Sequence, residues 1–281
     1  MHVLLTMLAL TVSACSTPRA TPATTAWTTL SPTIRIDRTQ GIVEFTATSV
    51  ISVGFLETSV CTVGTREHES LFAFDGAASE IHAALLLAGF VPGTPGRWRE
   101  VTAADGSFSV ESVPPTGESV EVGVRLPDGQ QFPVAHFVRA APITDEAALL
   151  TPPTAMVFGG SRLRTDRRTG REIYLADASG SLIGLVTFGD ETIGCVEVIP
   201  DQASVAAPIW EVFTERMPTP GTAVTIVVRR STPTTSAATP EAKNKRPGRS
   251  RASDRALPGQ DGVGCKPHFK DKIRGFSGSS S

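Results

Sequence analysis

The densest group of chemically active side chains lies at residues 65–70, Thr-Arg-Glu-His-Glu-Ser. Cys61 precedes this group, and His82 follows it on a segment with helical periodicity. A neutral imidazole is both a good metal ligand and a proton carrier near neutral pH. One hypothesis is therefore a metal site or an acid/base pair, built from His68 and His82 with Cys61 or Glu69.

A purely structural role for the same residues is the alternative, and we favour it because the spacing matches no specific motif. In a strand, His68 and Ser70 would point to the face opposite the two glutamates, so His68 and His82 are the pair best able to share a pocket. Otherwise His68 is bonded within a sheet edge, His82 lies near a helix start, and the carboxylates are solvated or paired with Arg66.

Two residues are candidate nucleophiles. Cys61 could be activated by His68, and Ser161 follows Gly159 and Gly160, which would let a backbone approach closely. The chain has no GxSxG elbow, and Cys61 does not follow a glycine-rich helix entry. A buried thiol and a turn serine are the default interpretations.

The elements that must position these residues are mainly short strands separated by Pro and Gly. Alternating apolar residues predict a hairpin over residues 33–38 and 42–47. Further strands are predicted at residues 70–74, 98–102, 120–125, 132–138, 155–158, 172–176, 182–188 and 224–229. One helix is predicted from Ser79, as N-cap, to Gly89. The expected fold is α+β, a mostly antiparallel β-sheet with one well-defined helix packed on it.

The cysteines place limits on cofactors. Cys61 and Cys195 both lie in apolar surroundings, which leaves two alternatives open: two buried thiols, or a Cys61–Cys195 disulfide. No CxxC spacing is present, so an iron–sulfur cluster or a zinc ribbon is not supported. No cofactor is expected, and a divalent metal at the histidines remains an alternative.

The N-terminus resembles a bacterial lipoprotein signal. An apolar run at residues 3–12 is too short to span a bilayer and is followed by Ser13, Ala14 and Cys15. We expect residues 1–15 to be a signal peptide with a lipobox and Cys15 to be lipidated. Residues 16–32, rich in Thr and Pro, would form a tether. The expected location is the bacterial cell envelope, anchored by lipid and facing the periplasm or the exterior.

The rest of the chain divides into a folded domain at residues 33–231 and a basic, disordered tail at 232–281. Hydrophobic residues make up 40% of the chain, enough for a real core, and the net charge is only -2. The tail carries ten Lys or Arg against four Asp or Glu. An exported protein meets glycans and lipid head groups first, so no specific nucleic-acid partner is expected.

Five segments together resemble the YdjY-domain proteins of bacterial envelopes. They are GTREHES at 64–70, IHAALLLAG at 81–89, VPPTG at 113–117, VFGGS at 157–161 and GTAVTIVV at 221–228. The resemblance covers residues 33–230 and implies an exported, often lipid-anchored protein with no established activity. Some members are labelled ferredoxin-like, which the cysteine content argues against here.

The expected function is that of a non-enzymatic binding or accessory module. It would bind an envelope protein, a glycan or a small ligand through one surface formed by His68, Glu69, His82 and the turn at residues 159–161. The alternative is an enzyme, dependent on a metal or a thiol, that uses His68 and His82 with Cys61 or Glu69. The sequence does not decide whether the protein is an enzyme.

Overall fold

The computed structural model describes residues 26–142 and 151–231. The predicted signal peptide with Cys15, most of the tether and the basic tail lie outside the described residues. The stretch assigned to the tether overlaps the first strand, Trp27–Ser31. This strand pairs antiparallel with residues 34–37, and the Arg35 guanidinium lies over the Trp27 ring at 4.4 Å, a cation–π contact between the two strands.

Eleven strands, numbered along the chain, form one large sheet. They are β1 (Trp27–Ser31), β2 (Ile34–Asp37), β3 (Ile42–Ser49), β4 (Thr58–Thr62), β5 (Ser70–Phe74), β10 (Ser119–Arg125), β11 (Gln131–Pro133), β13 (Met156–Val157), β16 (Ser181–Gly184), β17 (Gly194–Cys195) and β19 (Ala223–Arg230). The main path runs β16-β4-β5-β3-β19-β10-β13-β17, and every neighbouring pair on it is antiparallel except β4 with β5.

The remaining strands form four two-stranded pairs. These are β6 (Pro92–Thr94) with β9 (Thr116–Gly117), β7 (Arg97–Thr102) with β8 (Phe108–Val113), β12 (Val138–Ala140) with β18 (Trp210–Val212), and β14 (Leu163–Thr165) with β15 (Glu172–Tyr174). All six residues of β8 are exposed, and none of β7 is fully buried. The hairpin of β7 and β8 therefore lies outside the core.

The two ends of the large sheet meet. Ile183 of β16 bridges Ile193, which directly precedes β17. Backbone bonds join the same segments, from Gly184 N–H to Ile193 O at 2.9 Å and from Ile193 N–H to Leu182 O at 3.0 Å. The sheet is thereby nearly closed and barrel-like, an arrangement that removes most of the unpaired sheet edge.

The predicted α+β fold is therefore wrong. Strands account for 43% of the structure and helices for 13%, and two α-helices are present in the described residues, α1 (Ala78–Leu87) and α2 (Leu175–Ser179). Local periodicity identified α1 and several strands of the sheet, but it gave no information on closure, which depends on the bridge between β16 and Ile193. Short 3-10 turns occur at Glu67–Glu69, Val134–Phe137 and Thr214–Arg216.

Individual elements differ in how well they match the prediction. The hairpin of β2 and β3 is confirmed, and Asp37 closes its turn by accepting N–H bonds from Thr39 (2.8 Å) and Gln40 (3.0 Å). The strand predicted at residues 132–138 is instead β11, a 3-10 turn and the start of β12. The segment 172–176 contains β15 and then the start of α2.

Helix α1 is confirmed, but its predicted N-cap is not. Ala77 is the capping position, and Ser79 lies in the first turn, where its N–H and Oγ–H donate to the carboxylate of Asp177 at 2.8 and 2.7 Å. Ile81 and Leu85 of α1 are fully buried in the core. The contact with Asp177 attaches the start of α1 to α2.

The core contains a large aromatic component. Phe45 and Phe74 pack edge to face with centroids 5.2 Å apart, as do Phe72 and Phe137 at 5.8 Å. Trp210 of β18 is also buried. No helix within residues 26–142 and 151–231 is long and apolar enough to cross a membrane.

Candidate functional site

His82 lies half-buried on α1 in an aromatic environment. Its Nδ1 is 2.9 Å from the hydroxyl of Tyr174, and its ring packs edge to face on Phe158 (5.0 Å) and Tyr174 (5.4 Å). Burial lowers the pKa of His82, partly opposed by a hydrogen bond with the Gly160 backbone. The imidazole is therefore neutral near pH 7 and committed to a structural contact.

Tyr174 is the centre of this cluster and was not a candidate from the sequence. Its hydroxyl donates to the carbonyl of Gly160 at 3.1 Å and is 3.0 Å from Thr192 Oγ1. Burial raises the pKa of Tyr174 to about 12, so this phenol keeps its proton near neutral pH. The signal that could have marked it is its rarity, because it is the only tyrosine of the chain.

The turn at residues 159–161 does adjoin His82, as the sequence led us to expect. A Cβ on Gly160 would lie 3.2 Å from His82 Cε1, and its φ of +82° suits glycine. Ser161 is the one described non-glycine residue with a positive φ, +55°. We call the group of His82, Phe158, Gly160, Tyr174 and Thr192 the His82 cluster.

Ser161 acts as a structural residue. Its Oγ–H donates to the carbonyl of Asp190, and its Oγ accepts the N–H of Ala176 at 3.1 Å in the first turn of α2. The hydroxyl thus satisfies a helix N–H that lacks an intrahelical partner. Its proton goes to a carbonyl and not to a base, so this geometry does not activate Ser161 as a nucleophile.

Both described cysteines are buried and free. Cys61 lies in β4, and burial raises its pKa. Cys195 donates its thiol proton to the carbonyl of Gly184 at 3.3 Å, and burial, followed by the nearby charge of Glu191, raises its pKa to about 12. Of the two alternatives, the structure has two buried thiols and no disulfide between them. Such thiols are poor nucleophiles because the thiolate is disfavoured.

His68 lies in a different place from His82. Residues 67–69 form a 3-10 turn and not the strand that was assumed for the side-chain alternation. The side chain of His68 is 78% exposed, and its Nε2 is 3.6 Å from Glu69 Oε2. The expected single surface of His68, Glu69, His82 and residues 159–161 is thus two separate groups.

Arg66 holds the exposed group together. Its Nη1 is 2.7 Å from Glu69 Oε1 and 3.4 Å from Glu57 Oε2, and its Nε donates to the carbonyl of Ser179 at 3.2 Å. The guanidinium also lies over the ring of Phe188 at 4.1 Å. We call Glu57, Arg66, His68, Glu69 and Phe188 the Arg66 cluster.

The electrostatics of the Arg66 cluster are unusual for a surface. Burial, and then the negative charge of Glu69, raise the pKa of Glu57 to about 7. Asp201 adds to this effect, and the charge of Arg66 opposes it. The cluster therefore contains one carboxyl that exchanges its proton near neutral pH.

Two grooves border the Arg66 cluster. One, of about 510 Å³, is lined by Gly64, Thr65, Arg66, His68, Glu69, Ala178 and Ser179. The other, of about 370 Å³, is lined by Trp98, Arg99, Glu100, Phe188, Asp201 and Gln202. Because Arg66 of the first groove stacks on Phe188 of the second, this pair of side chains forms a wall between them.

A second titratable carboxyl, Glu191, was also missed by the sequence. It is 2% exposed, and its Oε2 accepts N–H bonds from Gly189 (2.8 Å) and Asp190 (2.9 Å). Burial raises its pKa to about 7, although these N–H bonds oppose the rise. Nothing in the local sequence distinguishes Glu191 from a surface glutamate.

Metal binding by these groups finds little support in the geometry. Within the described ranges, no three His, Cys, Asp or Glu side chains are placed to hold a metal ion. No hydrogen bond or ion pair between described residues connects His68 with His82 or Cys61. The predicted pair of imidazoles therefore does not converge.

Comparison with known proteins gives one match. Searches of curated proteins and of solved structures each return nothing. The family model of the YdjY domain matches residues 34–229, which spans β2 to β19 and contains both clusters. The chain therefore belongs to the YdjY-domain family.

Proposed function

We propose that this YdjY domain is a non-enzymatic binding or accessory module of an exported protein that is lipid-anchored through Cys15. The observation that carries the proposal is the contrast between the two clusters. Ser161, Cys61, Cys195 and the His82 cluster are engaged in internal contacts. Tyr174 of the His82 cluster also lines a groove, but four residues of the Arg66 cluster line two of them: Arg66, His68, Glu69 and Phe188.

The Arg66 cluster has the properties of a recognition surface. Its arginine is held by two carboxylates and an aromatic ring, so little conformational entropy remains to be lost on binding. Its polar atoms face solvent mainly through His68, while the side chains of Arg66 and Glu57 remain partly exposed. The ligand would be an envelope protein, a glycan or a small molecule.

Binding can be tested with a matched pair of arginines. The full chain carrying Cys15→Ser, which prevents lipidation, would be co-sedimented with washed bacterial envelope fragments. We expect Arg66→Gln to lower the bound fraction several-fold. Arg139→Gln is the control, because Arg139 is likewise paired with two glutamates, Glu211 (2.6 Å) and Glu215 (3.8 Å), and lies near a phenylalanine ring. Equal binding by both variants would contradict the proposal.

The anchor is tested separately by metabolic labelling with palmitate. Label should enter the wild-type protein and Cys265→Ser, and be absent from Cys15→Ser. The labelled protein should partition into the detergent phase. Label retained in Cys15→Ser would refute anchoring through this residue.

A further inference from the structure

The groove lined by Trp98 and Phe188 contains aromatic side chains, unlike the groove lined by Arg66, His68 and Glu69. Trp98 of β7 forms its hairpin side. The indole Nε1–H is shared between the carbonyl of Thr187 (3.0 Å) and Asp201 Oδ1 (2.9 Å). These two acceptors fix the ring plane of a half-buried tryptophan beside open space.

A second aromatic lining residue, Phe188, is also held in place. Phe188 follows Thr187 directly, and its ring carries the Arg66 guanidinium on one face at 4.1 Å. That face is already occupied by a cation, so the groove does not present the empty aromatic cage that a cationic ligand would need. The hydrogen bonds of Trp98 and the Arg66 contact with Phe188 thus fix both aromatic rings of the groove before a ligand binds.

The charges in the groove disfavour anions. Glu100 and Asp201 line it, while the one lining arginine, Arg99, is paired with Glu111 at 2.5 Å. A phosphate or carboxylate would therefore meet acceptors with no free cation to balance it. Hydroxyl groups, in contrast, can donate to carboxylates and bond with the amide of Gln202.

We infer that this groove binds a neutral carbohydrate, with an apolar sugar face on Trp98 and sugar hydroxyls bonded to Asp201 and Gln202. The inference rests on the proposed binding function and names its ligand class. Its volume, about 370 Å³, lies within the range of small-molecule sites. The β7–β8 hairpin would extend the contact along a longer chain.

The test uses the full chain with Cys15→Ser and a panel of chitotetraose, cellotetraose and maltotetraose, with choline as the cationic probe. Binding is followed by calorimetry and by tryptophan fluorescence. At least one tetrasaccharide should bind, Trp98→Ala should weaken it about tenfold, as expected for loss of an aromatic contact, and Gln202→Ala should weaken it several-fold. Trp27→Ala is the matched control, since Trp27 is also half-buried and lies in an exposed strand, β1.

Trp98→Ala also removes the hydrogen bonds that attach the hairpin to Thr187 and Asp201, so weaker binding by this variant could reflect a displaced hairpin. Gln202→Ala tests the site independently, because Gln202 is exposed. The inference is overturned if no tetrasaccharide binds, if choline binds more tightly, or if Trp27→Ala weakens binding as much as Gln202→Ala. If no tetrasaccharide binds, or if choline binds more tightly, but the protein still sediments with envelope fragments, only the carbohydrate assignment is wrong. If the protein binds neither a tetrasaccharide nor envelope fragments, the proposed binding function is wrong as well.

Discussion

Replacing Glu191 by glutamine should change how the stability of the domain depends on pH. Folding raises the pKa of this carboxyl from its usual 4.5 to about 7, chiefly through burial. The folded state therefore holds a proton that the unfolded state releases between these values, and the free energy of unfolding falls as the pH rises through this window. The penalty is absent below pH 4.5 and complete above pH 7.

The size of the effect follows from the shift. At about 1.36 kcal/mol per pH unit, a rise from 4.5 to about 7 corresponds to roughly 3 kcal/mol. The residue is almost fully buried, so solvent screens this little. Glutamine resembles the protonated acid, and its Oε1 can accept the same N–H bonds from Gly189 and Asp190. Glu191→Gln should match the wild type at pH 4.5 and exceed its stability above pH 7.

Urea unfolding, followed through tryptophan fluorescence, to which buried Trp210 contributes, measures this from pH 4.5 to about pH 8. Glu57 contributes a slope of the same sign, because its pKa is also raised to about 7. Glu191→Gln should therefore reduce the slope, and the Glu57→Gln double variant should reduce it further. Glu197→Gln is the control, because Glu197 is an exposed glutamate that follows β17, whereas Glu191 precedes this strand. A slope for Glu191→Gln equal to that of the wild type would refute the reasoning.

Three further predictions concern stability, each measured by urea unfolding. Tyr174→Phe should lower the free energy of unfolding by about 1–2 kcal/mol, since it leaves the Gly160 carbonyl without this donor. An unchanged urea midpoint would contradict a stabilising role of Tyr174 at the centre of the His82 cluster. Glu44→Gln should cost about 2 kcal/mol near pH 7, because it unbalances two arginines that lower the Glu44 pKa against the effect of burial. That cost should decline as the pH falls below 4.5 and disappear below the lowered pKa of folded Glu44; a cost that does not decline below pH 4.5 would contradict the ion pairing. Gly180→Ala should cost more than about 2 kcal/mol, because its Cβ would lie 2.0 Å from Thr65 Oγ1. Gly170→Ala should cost only about 1 kcal/mol, because a Cβ at Gly170 meets no atom within 4 Å. If the two substitutions lowered the stability equally, the clash with Thr65 would not be the cause.

The sequence predicts local structure here better than long-range structure. The apolar pattern of β5 (Ser70–Phe74) and the alternation of β2 and β3 are local properties, and these strands are found where predicted. The closure of the sheet joins Ile183 to Ile193 across a turn with no distinctive pattern. A fold class inferred from element types alone therefore mistook a barrel-like sheet for a sheet with one helix.

The candidate site shows the same division. His82 and the turn at residues 159–161 do meet, but Tyr174, which joins them, reaches the cluster from β15, ninety-two residues away from His82 in the chain. We expected His68 to share a pocket with His82 because side chains alternate between the two faces of a strand. Residues 67–69 form a 3-10 turn instead, so that alternation does not apply to His68. Side-chain convergence depends on backbone geometry that the residue types do not encode locally.

Burial decides which of the chemically active groups remain available to a ligand. A thiol with a raised pKa, a phenol with a pKa of about 12 and a hydroxyl bonded to a carbonyl all hold their protons within the fold. The Arg66 cluster keeps its charged atoms partly in solvent while fixing their positions through Phe188 and Ser179. Under the proposed function, these fixed but accessible polar groups and the oriented tryptophan serve to recognise a ligand. This is why a binding assay on Arg66, Trp98 and Gln202 has priority over a search for turnover.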